Sequence, residues 1–289
     1  MTRLRKVLIA GLAMAGVLVA ASHVLAAKPA QTRSFTRAGP KGQVSISARV
    51  RGSGPLVVLV PSLGRGGADF DELATRLAQA GFTAASLDPR GVGQSRGPME
   101  GVTLFDYAED AAMVARGLSD KPAVFIGHAY GNRVVRALAS SHPEAVSGLI
   151  LLAAGGQVAM APDVKQALDD VFVETLGPAE HLAAVRKAFF APGNDATAWT
   201  GGWYPPVAKA QTKANLATPS GAWAGGGQGP ILIVQAADDP VATPANAETL
   251  KQSYPDRVTV VTIPQASHAM LPEQPQLIAD IVIGYLRRR

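Results

Sequence analysis

Short, continuously apolar segments, separated by segments with helical periodicity, constrain the fold of this chain more than any other feature. The first is Pro55–Val60 (PLVVLV), which has no polar residue to turn towards solvent. A strand of this composition is typical of a parallel sheet that is buried on both faces. The segment Asp69–Ala80 has helical periodicity, with Asp69 predicted as its N-cap and Gly81 as its stop.

The alternation of strand and helix continues to the end of the chain. Further strands are predicted at Phe82–Leu87, Ala123–Ile126 and Arg257–Ile263, and further buried strands at Gly148–Ala154 and Ile231–Gln235. Helices are predicted at Thr103–Leu118, Tyr130–Ser140 and Gln274–Leu286. The alternating segment Gln43–Val50 (QVSISARV) predicts a half-buried antiparallel strand. The predicted fold class is therefore α/β, with a mostly parallel sheet covered by helices on both sides.

Residues 157–228 interrupt this alternation. They contain helical stretches and a loop rich in Trp, Gly and Pro, but no convincing buried strand. All three tryptophans of the chain lie here: Trp199, Trp203 and Trp223. We therefore predict a core of residues 43–156 and 229–289 and a cap or lid over a pocket at 157–228. The alternative is a helical insertion with no role in binding.

The N-terminal residues are predicted to lie outside the fold. Residues 3–6 carry three basic side chains, and the apolar run Val7–Ala20 and several small residues follow. This pattern is typical of a secretory signal peptide at residues 1–26, cleaved after Ala26, so we expect a periplasmic or secreted protein. Residues 27–42 are predicted to be a polar leader into the fold. The alternative is an uncleaved membrane anchor, because the apolar stretch is about as long as a membrane-spanning helix.

Composition limits the partners. The formal net charge is +5, but the charges between the predicted signal peptide and the terminal Arg287–Arg289 nearly balance. The sequence also has no run of basic residues with aromatic residues between them. Nucleic-acid binding is therefore not indicated. The chain has no cysteine, which excludes disulfides and a lipid-modified cysteine. The sequence has no phosphate-binding loop, dinucleotide fingerprint or metal-ligand cluster. We expect a small-molecule substrate and neither cofactor nor metal.

The sequence Gly127–Gly131 (GHAYG) lies between a predicted strand and a predicted helix. Glycines at both ends are typical of a sharp turn that presents one side chain above the sheet, and that residue is Ala129. The N–H of Tyr130 would then point towards a developing oxyanion. An ordinary tight turn between strand and helix is the alternative.

This turn, together with the surrounding strands and helices, resembles the nucleophile elbow of the α/β-hydrolase superfamily, with Ala129 at the nucleophile position. The resemblance covers about residues 43–289 except the cap. Val60–Gly64 (VPSLG) is similar to the family's loop after its third strand, which implies the Leu63 N–H as a second oxyanion donor. Asp88–Ser95 (DPRGVGQS) is similar to a loop that is mainly structural in the family.

The family resemblance also implies a catalytic acid and a catalytic histidine. Asp239 follows a predicted strand and fits the acid position better than Asp238, and His268 follows the last strand. The order of positions 129, 239 and 268 is the family's order. Taken singly, an Asp before Pro usually forms a turn and a loop His usually has no role. Substrate contacts are expected from Ser62, Asn132, Trp199 and Trp203, whereas His128 is expected to pack on the sheet.

Ala129 excludes covalent ester hydrolysis through this position, because a methyl group cannot attack a carbonyl. Three functions remain open. The alanine could replace a serine in a variant of a serine ester hydrolase, the His268–Asp239 pair could act alone as a general base, or the protein could bind a ligand without catalysis. We favour the second function, an enzyme acting on a small carbonyl, ester or lactone compound, because the residues of the pair and the turn glycines are intact. Ser62 and Ser267 lie close in sequence to the predicted site, but neither is on the turn.

Overall fold

The computed structural model describes residues 29–289, which form one eight-stranded sheet and nine α-helices. The predicted signal peptide at residues 1–26 lies outside the described residues. The strands are β1 (Gln31–Gly39), β2 (Gly42–Gly52), β3 (Leu56–Val60), β4 (Thr83–Leu87), β5 (Ala123–His128), β6 (Val146–Leu152), β7 (Ile231–Ala236) and β8 (Val258–Ile263). The helices are α1 (Asp71–Gln79), α2 (Leu104–Arg116), α3 (Tyr130–Ser141), α4 (Pro162–Asp170), α5 (Pro178–Phe189), α6 (Pro205–Leu216), α7 (Pro244–Ser253), α8 (Met270–Glu273) and α9 (Pro275–Leu286).

The strand order is β1-β2-β4-β3-β5-β6-β7-β8, and every pair from β4 to β8 is parallel. The central strands are buried on both faces because separate apolar clusters cover them. One cluster packs α2, α3 and α7 against one face, and the other packs α1 and α9 against the opposite face. The predicted α/β class with a mostly parallel, doubly covered sheet is confirmed.

The interpretation of residues 27–42 as a polar leader was wrong. Residues 31–39 form β1, which pairs with β2 in antiparallel register over its whole length. Phe35 is its one buried side chain. An edge strand of this kind is held by backbone hydrogen bonds to its neighbour, so it does not need the apolar pattern by which a buried strand is recognised.

The prediction of Asp69 as the N-cap of α1 was also wrong. Asp69 lies in a short 3-10 turn, Gly67–Phe70, and α1 begins at Asp71. The Asp69 carboxylate instead accepts two hydrogen bonds from the Arg65 guanidinium, at 2.6 and 2.7 Å. A bidentate pair is stronger than a capping bond, which explains the displaced helix start.

Residues 157–228 contain α4, α5, α6 and two short 3-10 turns, but no strand of the sheet. The first part of this insertion has an apolar cluster of its own, which includes Val185, Phe189 and Trp199. That cluster also reaches Ala269, next to the predicted catalytic histidine. The insertion therefore lies against the carboxyl ends of the core strands. In the described part of the chain, no helix is long and apolar enough to cross a membrane.

Candidate active site

The turn between β5 and α3 holds Ala129 in a backbone conformation that side chains rarely adopt, with φ of 50° and ψ of −109°. A Cβ added at Gly127 would lie 2.4 Å from the Gly131 carbonyl oxygen, and one added at Gly131 would lie 2.1 Å from the Val60 carbonyl oxygen. Side chains therefore do not fit at either glycine. The close approach of strand and helix forces position 129 to the top of the sheet.

The backbone N–H groups of Leu63 and Tyr130 flank this turn, and neither has an acceptor among residues 29–289. The loop carrying Leu63 is fixed from α6, since the Gly64 N–H donates to Gln211 Oε1 at 2.8 Å. Tyr204 N–H, at the start of the same helix, donates to the Gly64 carbonyl at 2.9 Å. Unpaired, fixed donors of this kind are what a developing oxyanion requires.

Asp239 and His268 form a buried pair. The His268 Nδ1 lies 2.9 Å from Asp239 Oδ2 and 3.1 Å from Oδ1, and both residues are at most 4% exposed. Asp239 Oδ1 also accepts the backbone N–H groups of Val241 and Ala242. These bonds keep the carboxylate in place and assign the Nδ1 proton to the bond with Asp239. Asp238, the alternative acid in the sequence, is exposed.

His128 hydrogen-bonds to the backbone of His268 and so helps to position the His268–Asp239 pair, a role that the sequence did not indicate. Its ring is fully buried, and Nε2 lies 2.8 Å from the His268 carbonyl oxygen, so Nε2–H donates to it. Burial, reinforced by the neighbouring His268, lowers the pKa of His128 to about 3, so the ring is neutral. The signal in the sequence was a histidine directly before Ala129. In the structure the ring of this histidine packs beneath the loop that carries His268.

A cavity of about 510 Å³ lies above the turn. Seven of the nine residues predicted for the site line it: Ser62, Leu63, Ala129, Tyr130, Asn132, Trp203 and His268. Phe172 and Phe189 of the insertion close the opposite wall. The eighth, Asp239, lies behind His268. The cavity therefore brings together the strained turn, the two free N–H groups and the histidine.

Trp199, the ninth residue, is not among the residues that line the cavity, contrary to prediction. Its indole is 3% exposed and packs edge-on against His128 and Phe189. The Arg65 guanidinium lies 4.3 Å from its ring centre. Trp223 is buried as well, 5.0 Å from the Arg136 guanidinium. Trp203 is thus the one tryptophan at the cavity.

Asn132 lines the cavity, but both ends of its side-chain amide are already hydrogen-bonded within the protein. Its Nδ2 donates to the Ala129 carbonyl, and its Oδ1 accepts from Arg136 Nη1 at 3.2 Å. These bonds stabilise the turn. Within residues 29–289, no three His, Cys, Asp or Glu side chains are grouped as metal ligands.

Comparisons with known proteins support the fold. A family model described as the alpha/beta hydrolase fold matches residues 55–177. A 2-(acetamidomethylene)succinate hydrolase of Mesorhizobium japonicum is 31% identical over 128 residues, which is 44% of this chain and 46% of that protein. A putative non-heme haloperoxidase of Mycobacterium phage D29 is 33% identical over 107 residues, 37% of this chain and 38% of that one. The matches thus span less than half the length of these relatives.

Solved structures resemble the chain over most of its length. An esterase of Thermogutta terrifontis has a TM-score of 0.75 at 21% identity, covering 89% of this chain and 98% of that one. A crystal structure of E-2-(acetamidomethylene)succinate hydrolase has a TM-score of 0.69 at 24% identity, covering 88% of this chain and 100% of that one. At such identities the likeness concerns the fold. Sheet order, the strained turn, the match over residues 55–177 and the solved structures agree, and the chain has the α/β-hydrolase fold.

Proposed function

We propose that this protein is an enzyme that acts on a small carbonyl, ester or lactone compound through His268 and Asp239, without a serine nucleophile. The observation that carries the proposal is the 2.9 Å contact between His268 Nδ1 and Asp239 Oδ2 beside the cavity. A protein that only binds a ligand has no need of a carboxylate that orients a cavity-lining imidazole. Hydrolases with this fold include the 2-(acetamidomethylene)succinate hydrolase named above. The substrate of this chain is itself part of the proposal.

The chemistry follows from which nitrogen is left free. Asp239 holds the proton on Nδ1, so the lone pair of Nε2 is the base. In hydrolysis, Nε2 takes a proton from water while the water oxygen bonds to the substrate carbonyl carbon. The N–H groups of Leu63 and Tyr130 stabilise the resulting oxyanion. When the oxyanion collapses, the bond to the leaving group breaks, and that group takes the proton from Nε2. For a substrate with an acidic C–H, Nε2 removes that proton instead.

A serine ester hydrolase carrying alanine at position 129 is the second candidate, because the turn is strained. A positive φ costs a residue other than glycine about 1–3 kcal/mol and persists where the surrounding structure imposes it. In α/β-hydrolases the strained turn exposes the side chain of the nucleophile above the sheet. A methyl group has no reaction that would require this exposure. Under this candidate, restoring a hydroxyl at position 129 restores esterase activity.

Export belongs to the proposal too. The basic residues, apolar run and small-residue site within residues 1–26 support secretion with cleavage after Ala26. Expression of the full chain in a bacterial host, cell fractionation and intact mass measurement test it. We expect an exported protein that begins at Ala27. A full-length protein in the membrane fraction would instead indicate an anchor.

The experiment that tests the catalytic proposal is an activity screen with esters, lactones and carbonyl compounds that have an acidic C–H. We compare the parent protein with His268→Ala and with His142→Ala, which removes a histidine paired with Glu109 at 2.8 Å. Loss of the general base lowers turnover about 10²–10⁴-fold, and His142→Ala retains parent activity. Equal rates for His268→Ala and the parent, on every substrate that the parent converts, would contradict the proposal.

A further inference from the structure

An arginine on α3 lines the cavity without a partner for its charge. Arg133 is half-buried, and among residues 29–289 its guanidinium makes neither a hydrogen bond nor an ion pair. The Trp223 ring, with its centre 5.8 Å from the Arg133 Cζ, is its aromatic neighbour. A partly desolvated cation without a counter-charge is costly, so its position demands an explanation.

Other buried arginines of the described chain show what is normal here. Arg65 is paired with Asp69 at 2.6 Å, and Arg90 is paired with Asp110 at 2.6 Å. Arg136, three residues beyond Arg133 on the same helix, donates to the Ala224 carbonyl and to Asn132 Oδ1. Each of these side chains has acceptors within the protein, and Arg133 differs from all of them.

A glycine lies directly beside this guanidinium, where a side chain would crowd it. A Cβ added at Gly156, where φ is +110°, would lie 3.2 Å from the Nε and Nη2 atoms of Arg133. Burial lowers the pKa of Arg133 from its ordinary value. Arginine nevertheless keeps its charge at neutral pH.

No other charged group in the cavity wall balances that charge. Lys165 and Asp169 also line the cavity, but Lys165 Nζ lies 2.6 Å from Asp169 Oδ2, so those two charges neutralise each other. His268 already has Asp239 as its partner. Among the described residues, the cavity wall therefore carries one uncompensated positive charge.

We propose that Arg133 binds a carboxylate of the substrate, which makes the substrate class a small carbonyl, ester or lactone compound that is also an acid. A single guanidinium matches one carboxylate in bidentate geometry and also in charge, whereas a phosphate dianion at the same place would keep one uncompensated negative charge. Ala129 precedes α3, and Arg133 lies one helical turn further, an axial rise of about 6 Å. Both residues line the same cavity as His268, so we expect the carboxylate and the reacting carbonyl to be separated by only a few bonds. The separation between carboxylate and carbonyl rests on the proposed function, because it assumes a reaction at His268. Binding of the carboxylate by Arg133 does not depend on that reaction.

The test measures binding, and every protein in it carries His268→Ala so that the proposed catalysis does not consume the esters during the titration. Isothermal titration calorimetry compares each monomethyl ester of malonic, succinic, glutaric and adipic acid with its neutral dimethyl ester. The reference protein is the full chain with this one substitution, and the variants add Arg133→Gln, Arg133→Lys or the matched control Lys165→Gln, which removes the other cation of the cavity wall. Thermal melting of each variant checks that it is folded.

We expect the reference protein to bind at least one monoester about tenfold or more tightly than its diester, as for a hydrogen bond to a charged group. Arg133→Gln should lose this preference while its affinity for the diester stays unchanged. Arg133→Lys should keep part of the preference, and Lys165→Gln should keep all of it. The proposal is overturned if the reference protein binds no monoester more tightly than its diester, including the case in which nothing binds, or if folded Arg133→Gln keeps the preference. If Arg133 binds the acids but His268→Ala is as active as the parent, the carboxylate site stands and the proposed catalysis fails.

Discussion

The Nδ1 atom of His268 lies 2.9 Å from Oδ2 of Asp239, although 29 positions separate the two residues in the chain. The parallel pairing of β7 and β8 explains the contact, because Asp239 follows the carboxyl end of β7 and His268 that of β8. Loops at the carboxyl ends of neighbouring parallel strands meet at one edge of the sheet, where α/β proteins place their ligands.

Replacing Asp239 by asparagine tests the orientation of the histidine. We expect kcat/KM to fall by up to about 10⁴-fold, because an uncharged partner no longer fixes the Nδ1 proton or stabilises the imidazolium. The matched control is Asp238→Asn, which changes the exposed neighbour and keeps parent kinetics. Steady-state kinetics on a substrate found in the screen gives the answer, and melting temperatures separate a kinetic effect from unfolding. Equal losses in both variants, or none in Asp239→Asn, would contradict the assigned role.

Introducing a hydroxyl at position 129 tests whether the rest of the site is ready for covalent catalysis. Ala129→Ser places a nucleophile on the strained turn beside His268, so we expect hydrolysis of 4-nitrophenyl acetate to increase. Loss of a nucleophile in a serine protease costs about 10⁶-fold, which sets the upper limit of the gain. Pre-steady-state kinetics should show a burst of nitrophenol from an acyl-enzyme.

The double variant Ala129→Ser with His268→Ala is the control for this gain. The serine without its base should be no better than the parent protein. A gain that persists in the double variant would come from another nucleophile, and Ser62 at the cavity would be the first to replace. No gain at all, in a folded Ala129→Ser protein, would argue against a functional arrangement of His268 and the two N–H groups.

The close packing of the turn makes Gly131 sensitive to a single methyl group. The added Cβ of Gly131→Ala would lie 2.1 Å from the Val60 carbonyl oxygen, which belongs to a central strand and cannot move away. We expect the free energy of unfolding to decrease by about 2–4 kcal/mol. Gly221→Ala is the comparison, since nothing lies within 4 Å of its added Cβ. Urea denaturation measures both, and equal stabilities would contradict the contact.

The sequence predicted the core of the fold because several of its central strands are almost entirely apolar. Segments such as Pro55–Val60 have no polar face, and only a sheet covered on both sides accommodates them. β1 was missed for the opposite reason. It lies at the edge, where β2 supplies hydrogen bonds on one side, and Phe35 is its one buried side chain. β1 (QTRSFTRAG) has no apolar run and no clear alternation, so its sequence pattern did not identify it.

Within the site, spacing predicted which residues meet but not what supports them. Asp239, His268 and Ala129 follow consecutive elements of a known topology, which explains why they could be named from sequence. Trp199 was placed at the cavity wrongly, because the packing of an insertion depends on tertiary contacts that a sequence does not reveal. The charge of Arg133 was overlooked for a similar reason, since only the fold shows that it has no partner.

His128 makes the stability of the protein depend on pH. Its folded-state pKa is about 3, because the ring is buried and Nδ1 has no acceptor among the described residues, whereas its ordinary pKa is 6.5. Below pH 6.5 the unfolded chain therefore binds a proton that the folded protein does not, so stability falls as the pH falls towards 3. The slope from this group approaches about 1.4 kcal/mol per pH unit. His128→Gln keeps a donor for the His268 carbonyl and removes the titration. Urea denaturation between about pH 6 and 5 should show a shallower decline for the variant than for the parent, and parallel declines would rule out His128 as the source.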